Sequence, residues 1–206
     1  MKVAVSFIKS RVNEKETVDL INKTSADFLH VDIMDGKFVE NITYDFEDIE
    51  LFVKDNKKPL DIHLMCKEPQ AYIEEYLKLK PYNITFHIEA VANPQKLIDY
   101  LHDNGIKCGI AINPETNVKS ILPYLESIDT VLVMTVHPGK GGQKFMKEMV
   151  YKVDKLNKLK GNFVIEVDGG VNNESISYLQ NADIVVSGSY VCTSDNFEEK
   201  VRNLKE

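Results

Sequence analysis

One short apolar stretch of the chain carries three ionisable side chains where a buried strand would normally carry none. Residues 29–36 read L-H-V-D-I-M-D-G, so His30 and Asp32 point to the same face of an extended strand. A charged pair that faces a core is costly to bury unless a partner neutralises it or a cation binds it. We therefore expect a metal or catalytic site here, with a hydrogen-bonded core pair as the alternative. Asp35 lies past the strand end, where capping the turn at Gly36 is a sufficient role.

Other predicted strand ends repeat this arrangement. Residues 61–65 read D-I-H-L-M, and residues 166–170 read E-V-D-G-G. Two imidazoles and two carboxylates could converge on one divalent cation, and their nitrogen and oxygen atoms suit Zn²⁺, Fe²⁺ or Mn²⁺. These four candidate ligands are His30, Asp32, His63 and Asp168. Asp61 and Glu166 lie one pleat further back and are expected to hydrogen-bond to ligands or to fill the interior. His87 is interpreted as a hydrogen-bonded core residue.

Glycine-rich turns follow three consecutive strand-like segments in the second half of the chain. Residues 136–143 read V-H-P-G-K-G-G-Q, and shorter turns follow the next two segments. Glycines in such turns permit backbone conformations in which successive N–H groups face an anion. One glycine-rich turn is usually only a tight turn, but three at neighbouring strand ends indicate a phosphorylated ligand. The residues concerned are Gly139, Gly141 and Gly142, then Gly169 and Gly170, then Gly188 and Ser189.

The elements that must position these residues alternate along the whole chain. Eight β-branched apolar runs are predicted strands: 2–8, 28–32, 60–64, 83–87, 107–112, 130–135, 162–167 and 183–187. Segments of helical period follow them: 14–23, 45–53, 69–77, 94–104, 118–127, 144–160, 174–180 and 194–205. Eight strand–helix units of roughly 26 residues predict one (β/α)8 TIM barrel domain over residues 1–206. An open doubly wound sheet would show G-x-G-x-x-G after its first strand, and residues 7–10 read F-I-K-S.

Composition narrows the function classes. The formal net charge of −7 argues against nucleic acid or an anionic membrane as the main partner, although a local basic pocket for a small anion is compatible with it. Three isolated cysteines give neither a disulfide framework nor a zinc-finger spacing, which indicates a reducing compartment. The N-terminal apolar stretch is too short for a signal peptide or a membrane span. We expect a cytoplasmic protein.

Five motifs along the chain are specific enough to compare with known families. They are H-V-D-I-M-D-G-K-F-V-E-N, D-I-H-L-M, I-T-F-H-I-E-A, V-M-T-V-H-P-G-K-G-G-Q-K-F and E-V-D-G-G-V. Together they resemble the ribulose-phosphate 3-epimerase family, in the family's order and over nearly the whole chain. The resemblance implies a ribulose-phosphate-binding (β/α)8 barrel that interconverts D-ribulose 5-phosphate and D-xylulose 5-phosphate in the pentose phosphate pathway.

The resemblance also implies roles for individual residues. Asp32 matches the family's proton acceptor and Asp168 its proton donor, and epimerisation at C3 needs two such groups on opposite faces of the substrate. One divalent cation per subunit would polarise the ketose, and the ligand set leaves Zn²⁺, Fe²⁺, Mn²⁺ and Co²⁺ open. The matched metal ligands are His30, Asp32, His63 and Asp168. The matched substrate contacts are Ser6, His63, Gly139, Gly141, Gly142, Gly170, Gly188 and Ser189. The family often forms dimers or larger assemblies, so a homo-oligomer that binds a small phosphosugar is expected.

Several positions depart from the family pattern and bear on substrate identity and loop geometry. Residues 9–12 replace the usual continuation of the first strand. The other departures are Glu40, residues 43–45, His137 and Lys140. Lys140 is either a phosphate contact or a solvated loop lysine. A D-allulose-6-phosphate 3-epimerase and a non-catalytic phosphosugar-binding barrel are the alternative functions. The orotidine decarboxylase and hexulose-phosphate synthase group is discounted, because Met34 stands where its Asp-x-Lys-x-x-Asp pattern needs lysine.

Overall fold

Parallel pairing of each strand with the next closes the sheet in the computed structural model, which describes residues 1–206. The strands are β1 (Lys2–Ser6), β2 (Phe28–Met34), β3 (Leu60–Met65), β4 (Asn83–His87), β5 (Lys107–Ile112), β6 (Thr130–Met134), β7 (Val164–Asp168) and β8 (Ile184–Ser187). β1 also pairs in parallel with β8, which completes the cylinder. The prediction of a TIM barrel is confirmed.

Seven α-helices accompany the barrel. They are α1 (Glu14–Asn22), α2 (Phe46–Val53), α3 (Pro69–Tyr76), α4 (Pro94–Asp103), α5 (Val150–Lys158), α6 (Ser189–Cys192) and α7 (Phe197–Lys205). Side-chain oxygens of Asn13, Asp45 and Asn196 accept the backbone N–H groups at the starts of α1, α2 and α7. Proline begins both α3 and α4, where its missing N–H costs no helical hydrogen bond. None of these helices combines the length and the apolar character that crossing a bilayer requires.

Two predicted helices in the second half of the chain are 3₁₀ helices instead. Residues 118–127 form a 3₁₀ helix over Val118–Tyr124, and residues 174–180 form one over Ser175–Tyr178. Pro123 lies inside the first of these and has no N–H to donate, which disfavours a regular α-helix there. The spacing of apolar residues correctly predicts a helix in both segments. Over so few residues, however, that spacing does not distinguish an α-helix from a 3₁₀ helix.

Some boundaries also differ from the prediction. The helix predicted over 144–160 is a 3₁₀ turn at Lys147–Met149 followed by α5, and the short α6 was not predicted. β1 ends at Ser6, before residue 8, whereas β2 continues to Met34 because Met34 pairs with Met65 of β3. Likewise β7 starts at Val164 and extends to Asp168, so this carboxylate lies on the last residue of its strand.

The apolar core lies mainly between the barrel and its helices, and the barrel interior is unusually polar. Outward-facing strand residues join buried helix residues in one cluster of 45 side chains. Inside the barrel, by contrast, His30, Asp61, His63 and Glu166 are all buried. Since burial of such groups is costly without partners, their contacts determine what this interior can do.

Candidate active site

The register between β2 and β3 sets the geometry of the polar interior. His30 lies beside Asp61, and Asp32 lies beside His63, so each imidazole has a carboxylate on the neighbouring strand. Asp168 reaches the same place from β7, with its Oδ2 3.7 Å from His63 Nδ1. The structure therefore brings together all four side chains that the sequence offered as metal ligands.

Hydrogen bonding fixes the orientation of the first imidazole. His30 Nδ1 lies 2.6 Å from Asp61 Oδ2, so the ring donates this N–H and carries a lone pair on Nε2 when it is neutral. His30 Nε2 is buried, has no hydrogen-bond partner and lies 3.3 Å from Asp32 Oδ1. A buried acceptor without a donor is what a metal-binding nitrogen shows when no metal is present.

The second imidazole, that of His63, is oriented by a relay of hydrogen bonds through His87, at the end of β4, and Glu89, just after it. His63 Nε2 lies 2.8 Å from His87 Nε2, and His87 Nδ1 lies 3.2 Å from Glu89 Oε2. If His87 donates its Nδ1–H to the carboxylate, its Nε2 must accept from His63, which leaves the lone pair of His63 on Nδ1. That nitrogen faces Asp32 Oδ1 at 3.0 Å. Burial, only partly offset by Glu89, lowers the pKa of His87 to about 4, which keeps this ring neutral.

The donor set fits a divalent cation. One ligand atom from each of His30, Asp32, His63 and Asp168 lies within 4.8 Å of the others. Two neutral imidazole nitrogens and two carboxylates are ligands that zinc, iron, manganese and cobalt accept. His30 is also held by a carboxylate outside this set, that of Asp61, as metal-binding histidines often are, and His63 is held by His87, which in turn contacts Glu89.

The two carboxylates nearest His63 have opposite electrostatic environments. Burial, and after it the charge of Asp32, raises the pKa of Asp168 to about 7. Burial also opposes ionisation of Asp32, but His30 and His63 outweigh it and hold the pKa of Asp32 well below its usual range. Near neutral pH one group can therefore accept a proton while the other can donate one. Ser6 Oγ donates to Asp32 Oδ2 at 2.8 Å and fixes the position of that carboxylate.

Asp61 and Glu166 lie deeper in the barrel, as their position one pleat back predicts. Asp61 Oδ1 accepts from Asn83 Nδ2 at 2.8 Å, and its Oδ2 contacts His30. Burial, followed by the charge of Asp61, raises the pKa of Glu166 well above its usual range. The protonated, uncharged form of Glu166 is therefore favoured, which limits the negative charge in the interior.

A cavity of about 350 Å³ opens at the C-terminal ends of the strands. Asp32 and Asp168 line it together with Met34, Met65 and Met134. Its other lining residues include seven of the eight predicted substrate contacts: Ser6, Gly139, Gly141, Gly142, Gly170, Gly188 and Ser189. The eighth, His63, is fully buried beneath Asp32 and is not among the lining residues. Reactive groups and glycine-rich turns thus share one space, although they are far apart in sequence.

The glycine-rich loop after β6 presents free backbone donors to this cavity. The N–H groups of Gly139, Gly141 and Gly142 donate to no acceptor within the chain. Gly139 and Gly142 have φ of +101° and +76°, which side-chain-bearing residues rarely adopt. Gln143 Nε2 holds the loop by donating to the carbonyls of His137 and Lys140, at 2.6 and 2.8 Å.

Sequence reasoning missed three contributors to the site: Glu89, Phe38 and Lys9. His87 is the buried, hydrogen-bonded residue that was predicted, but its contact with His63 depends on how β3 and β4 are staggered. Glu89 stands two residues after it and contacts its Nδ1. Phe38 packs against His87 with ring centroids 4.7 Å apart and ring planes tilted by 45°. Lys9 lines the cavity, and its position in a segment that departs from the family pattern was the available signal.

Behind this relay, one buried lysine holds the loop that contacts Glu89. Lys152 on α5 is fully buried, and its Nζ donates to the carbonyls of Asn113, Pro114 and Thr116 at 2.7–2.8 Å. The same loop returns two hydrogen bonds to Glu89, from Asn113 N–H and from the Thr116 hydroxyl. Lys152 therefore supports the position of Glu89 from outside the barrel.

We expect Lys152→Met to lower the free energy of unfolding by roughly 2–4 kcal/mol, because three carbonyls lose a charged donor. Chemical denaturation followed by circular dichroism measures this change. Lys158→Met, on the exposed side of the same helix, is the matched control and should change stability little. Equal stability of the two variants would contradict the role assigned to Lys152.

Sequence comparisons agree over nearly the whole chain. The model of the ribulose-phosphate 3 epimerase family matches residues 2–192. A ribulose-phosphate 3-epimerase of Helicobacter pylori is 39% identical over 214 residues, which cover 99% of this chain and 94% of the relative. The cytoplasmic isoform of this enzyme from Oryza sativa is 40% identical over 197 residues and covers 92% of this chain and 86% of its own length.

Comparison with solved structures supports the fold alone, because the identities are low. KGPDC from Streptococcus mutans superposes with a TM-score of 0.70 at 13% identity, covering 99% of this chain and 95% of that one. The 3-hexulose-6-phosphate synthase from Salmonella typhimurium gives 0.69 at 15% identity and covers 99% and 96%. Both share the barrel described above.

Proposed function

We propose, from the premise that this chain belongs to the ribulose-phosphate 3-epimerase family, that Asp32 and Asp168 exchange the proton at C3 of its substrate. The chain is an enzyme that epimerises ribulose 5-phosphate at C3, which yields xylulose 5-phosphate. One observation carries the assignment of residues. Carboxylates from β2 and β7, which both line the cavity, approach His63 Nδ1 at 3.0 and 3.7 Å.

The opposite protonation states of the two groups suit this reaction. Asp32, ionised, removes the C3 proton beside the C2 carbonyl, which leaves a planar enediolate. Asp168, protonated, then gives a proton to the other face, and the configuration at C3 is inverted. The reverse reaction uses the same groups in exchanged roles. The Ser6 hydroxyl holds Asp32 in place while it accepts and returns the proton.

We also propose that His30, Asp32, His63 and Asp168 hold one divalent cation per subunit. When bound, such a cation polarises the C2 carbonyl and so makes the neighbouring C3–H more acidic. Support comes from the unpartnered Nε2 of His30 and from the two carboxylates, Asp61 and Glu89, that set the orientation of the imidazoles. Zinc, iron, manganese and cobalt are all compatible with this donor set.

The phosphate end of the substrate is assigned to the glycine-rich turns. Their free N–H groups offer an anion several donors without adding a formal charge. The cavity connects these turns with Asp32 and Asp168, so one small phosphosugar can contact both ends. We assign the phosphate contacts to Gly139, Gly141, Gly142, Gly170, Gly188 and Ser189, and a further contact to the Ser6 side chain.

Two broader properties belong to the same proposal. A cytoplasmic location is supported by the rice relative, which is described as a cytoplasmic isoform. A homo-oligomer is supported by exposed apolar side chains near α2, those of Ile42, Tyr44 and Leu51. Sedimentation of the purified chain would test the second property.

Side-by-side turnover of ribulose 5-phosphate and allulose 6-phosphate tests the substrate assignment. We expect kcat/KM for the pentose phosphate to exceed that for the hexose phosphate by at least about tenfold. This is the lower end of the selectivity that a binding pocket shows between two substrates that differ by one carbon unit. The opposite ratio would make this chain a hexulose-phosphate epimerase. Binding of both sugars without turnover by the cation-loaded protein would instead indicate a non-catalytic phosphosugar-binding barrel.

A further inference from the structure

Lys9, in the loop after β1, lies against the glycine-rich loop after β6. Its Cβ and Cδ each lie 3.6 Å from the point where a Cβ on Gly141 would stand. At Gly142 the corresponding point is 2.5 Å from Lys9 Nζ and 3.5 Å from Ser189 Oγ. The ammonium group therefore lies where loops after three different strands meet, beside the backbone of two glycines assigned to the phosphate.

The Lys9 ammonium group has no anionic partner in the chain. It makes no ion pair and no hydrogen bond, unlike Lys15, Lys160 and Lys205, each of which contacts a carboxylate. The neighbouring N–H groups of Gly141 and Gly142 are donors without an acceptor as well. A cation and several donors that converge without an acceptor form a site that is complementary to an anion.

The charge balance of the cavity gives Lys9 a function there. The ionised Asp32 lines the same cavity, and the chain has a net charge of −7, so a phosphate dianion meets repulsion as it approaches. Backbone N–H groups offset this repulsion only through their dipoles, whereas a lysine side chain adds a full positive charge. Lys9 and Lys140 are the two lysines that line the cavity, and Lys9 is the one packed against Gly142 and close to Ser189.

We propose that Lys9 is a substrate-binding residue whose ammonium group contacts the phosphate of the ketose phosphate. This inference rests on the proposed assignment of the glycine-rich turns to that phosphate. Because Lys9 lies beside those turns and contacts neither Asp32 nor Asp168, it contributes to affinity and to selection of phosphorylated over unphosphorylated ketoses, and takes no part in proton transfer.

Steady-state kinetics of Lys9→Met, Lys9→Arg and Lys37→Met tests this inference. Lys37 is a matched control, because it is an exposed lysine at the same end of the barrel and does not line the cavity. We expect Lys9→Met to raise KM for ribulose 5-phosphate about tenfold or more and to leave kcat within about threefold, as for loss of one charge-assisted contact. Lys9→Arg keeps the charge and should retain most of the affinity, and Lys37→Met should match the wild type.

Inorganic phosphate, used as a competitive inhibitor and in direct calorimetric titration, gives a second measurement that does not depend on turnover. Its Kd should rise by a similar factor in Lys9→Met, and the difference from wild type should shrink as salt is added. The melting temperature should be unchanged, since the ammonium group makes no hydrogen bond or ion pair within the fold.

Equal KM and equal phosphate Kd in Lys9→Met and Lys37→Met would overturn the inference about Lys9. Failure of the proposed function has a different signature. A wild-type chain that binds phosphate but does not epimerise ribulose 5-phosphate would contradict that function, and the phosphate titrations would still decide the role of Lys9.

Discussion

Asp168→Asn is expected to lose epimerisation, by about 10²–10⁴-fold, while it still exchanges the C3 hydrogen of ribulose 5-phosphate with solvent. In this variant Asp32 can remove the C3 proton and return one to the same face, but no acid protonates the opposite face. Incubation in D₂O followed by NMR should show deuterium at C3 of ribulose 5-phosphate without formation of xylulose 5-phosphate. The separation of exchange from inversion distinguishes loss of one acid from general damage to the site.

Asp32→Asn should show the complementary behaviour. The remaining carboxyl group, Asp168, faces the C3 hydrogen of xylulose 5-phosphate, so exchange should occur in that epimer alone and inversion should again be lost. Cation content and thermal stability of both variants need to be measured, because both residues are also candidate ligands. Asp103→Asn, an exposed substitution on α4, serves as the control.

Two outcomes would refute these roles. Turnover of either variant at near wild-type rate would show that the altered carboxylate is not needed for proton transfer. Deuterium exchange in the wrong epimer, in ribulose 5-phosphate for Asp32→Asn, would show that the two faces are assigned the wrong way round.

The fold was predictable from the sequence because strands and helices alternate with strong local signals. β-branched runs mark the strands, and Pro69 and Pro94 mark helix starts. The irregular helices of the second half were less predictable. The choice between an α-helix and a 3₁₀ helix around Pro123 depends on local backbone bonding that apolar periodicity does not encode.

The candidate site was predictable where one strand carries two functional side chains, as with His30 and Asp32. Period-two geometry puts such residues on one face without any knowledge of the neighbours. The relay from His63 to His87 depends instead on the stagger of adjacent strands, and the contact of Lys9 with Gly142 depends on two loops that are far apart in sequence. Neither contact has a local sequence signal, so both needed the three-dimensional structure.

His30→Ala is expected to lose divalent cation binding almost completely. Titration of Co²⁺ into chelator-treated protein, followed by its visible absorption and by calorimetry, should give one cation per wild-type chain. Asp61→Asn removes only the negative charge from the side chain that contacts His30 Nδ1, at 2.6 Å, and should weaken affinity roughly 10–100-fold. Loss of the ligand itself should exceed that range. His102→Ala, which removes an exposed imidazole paired with Asp129, should bind Co²⁺ like the wild type.

The pH dependence of Co²⁺ binding gives an independent measure of the same ligands. Burial opposes protonation of His30, but Asp32 and Asp61 outweigh it and raise its pKa well above the usual value. His30 therefore carries a proton near pH 6 that a cation must displace, so cation affinity should rise as the pH is raised above about 6, and protons should be released on binding. Cation affinity that is independent of pH would exclude His30 from the ligand set, since this residue could then lose no proton on binding.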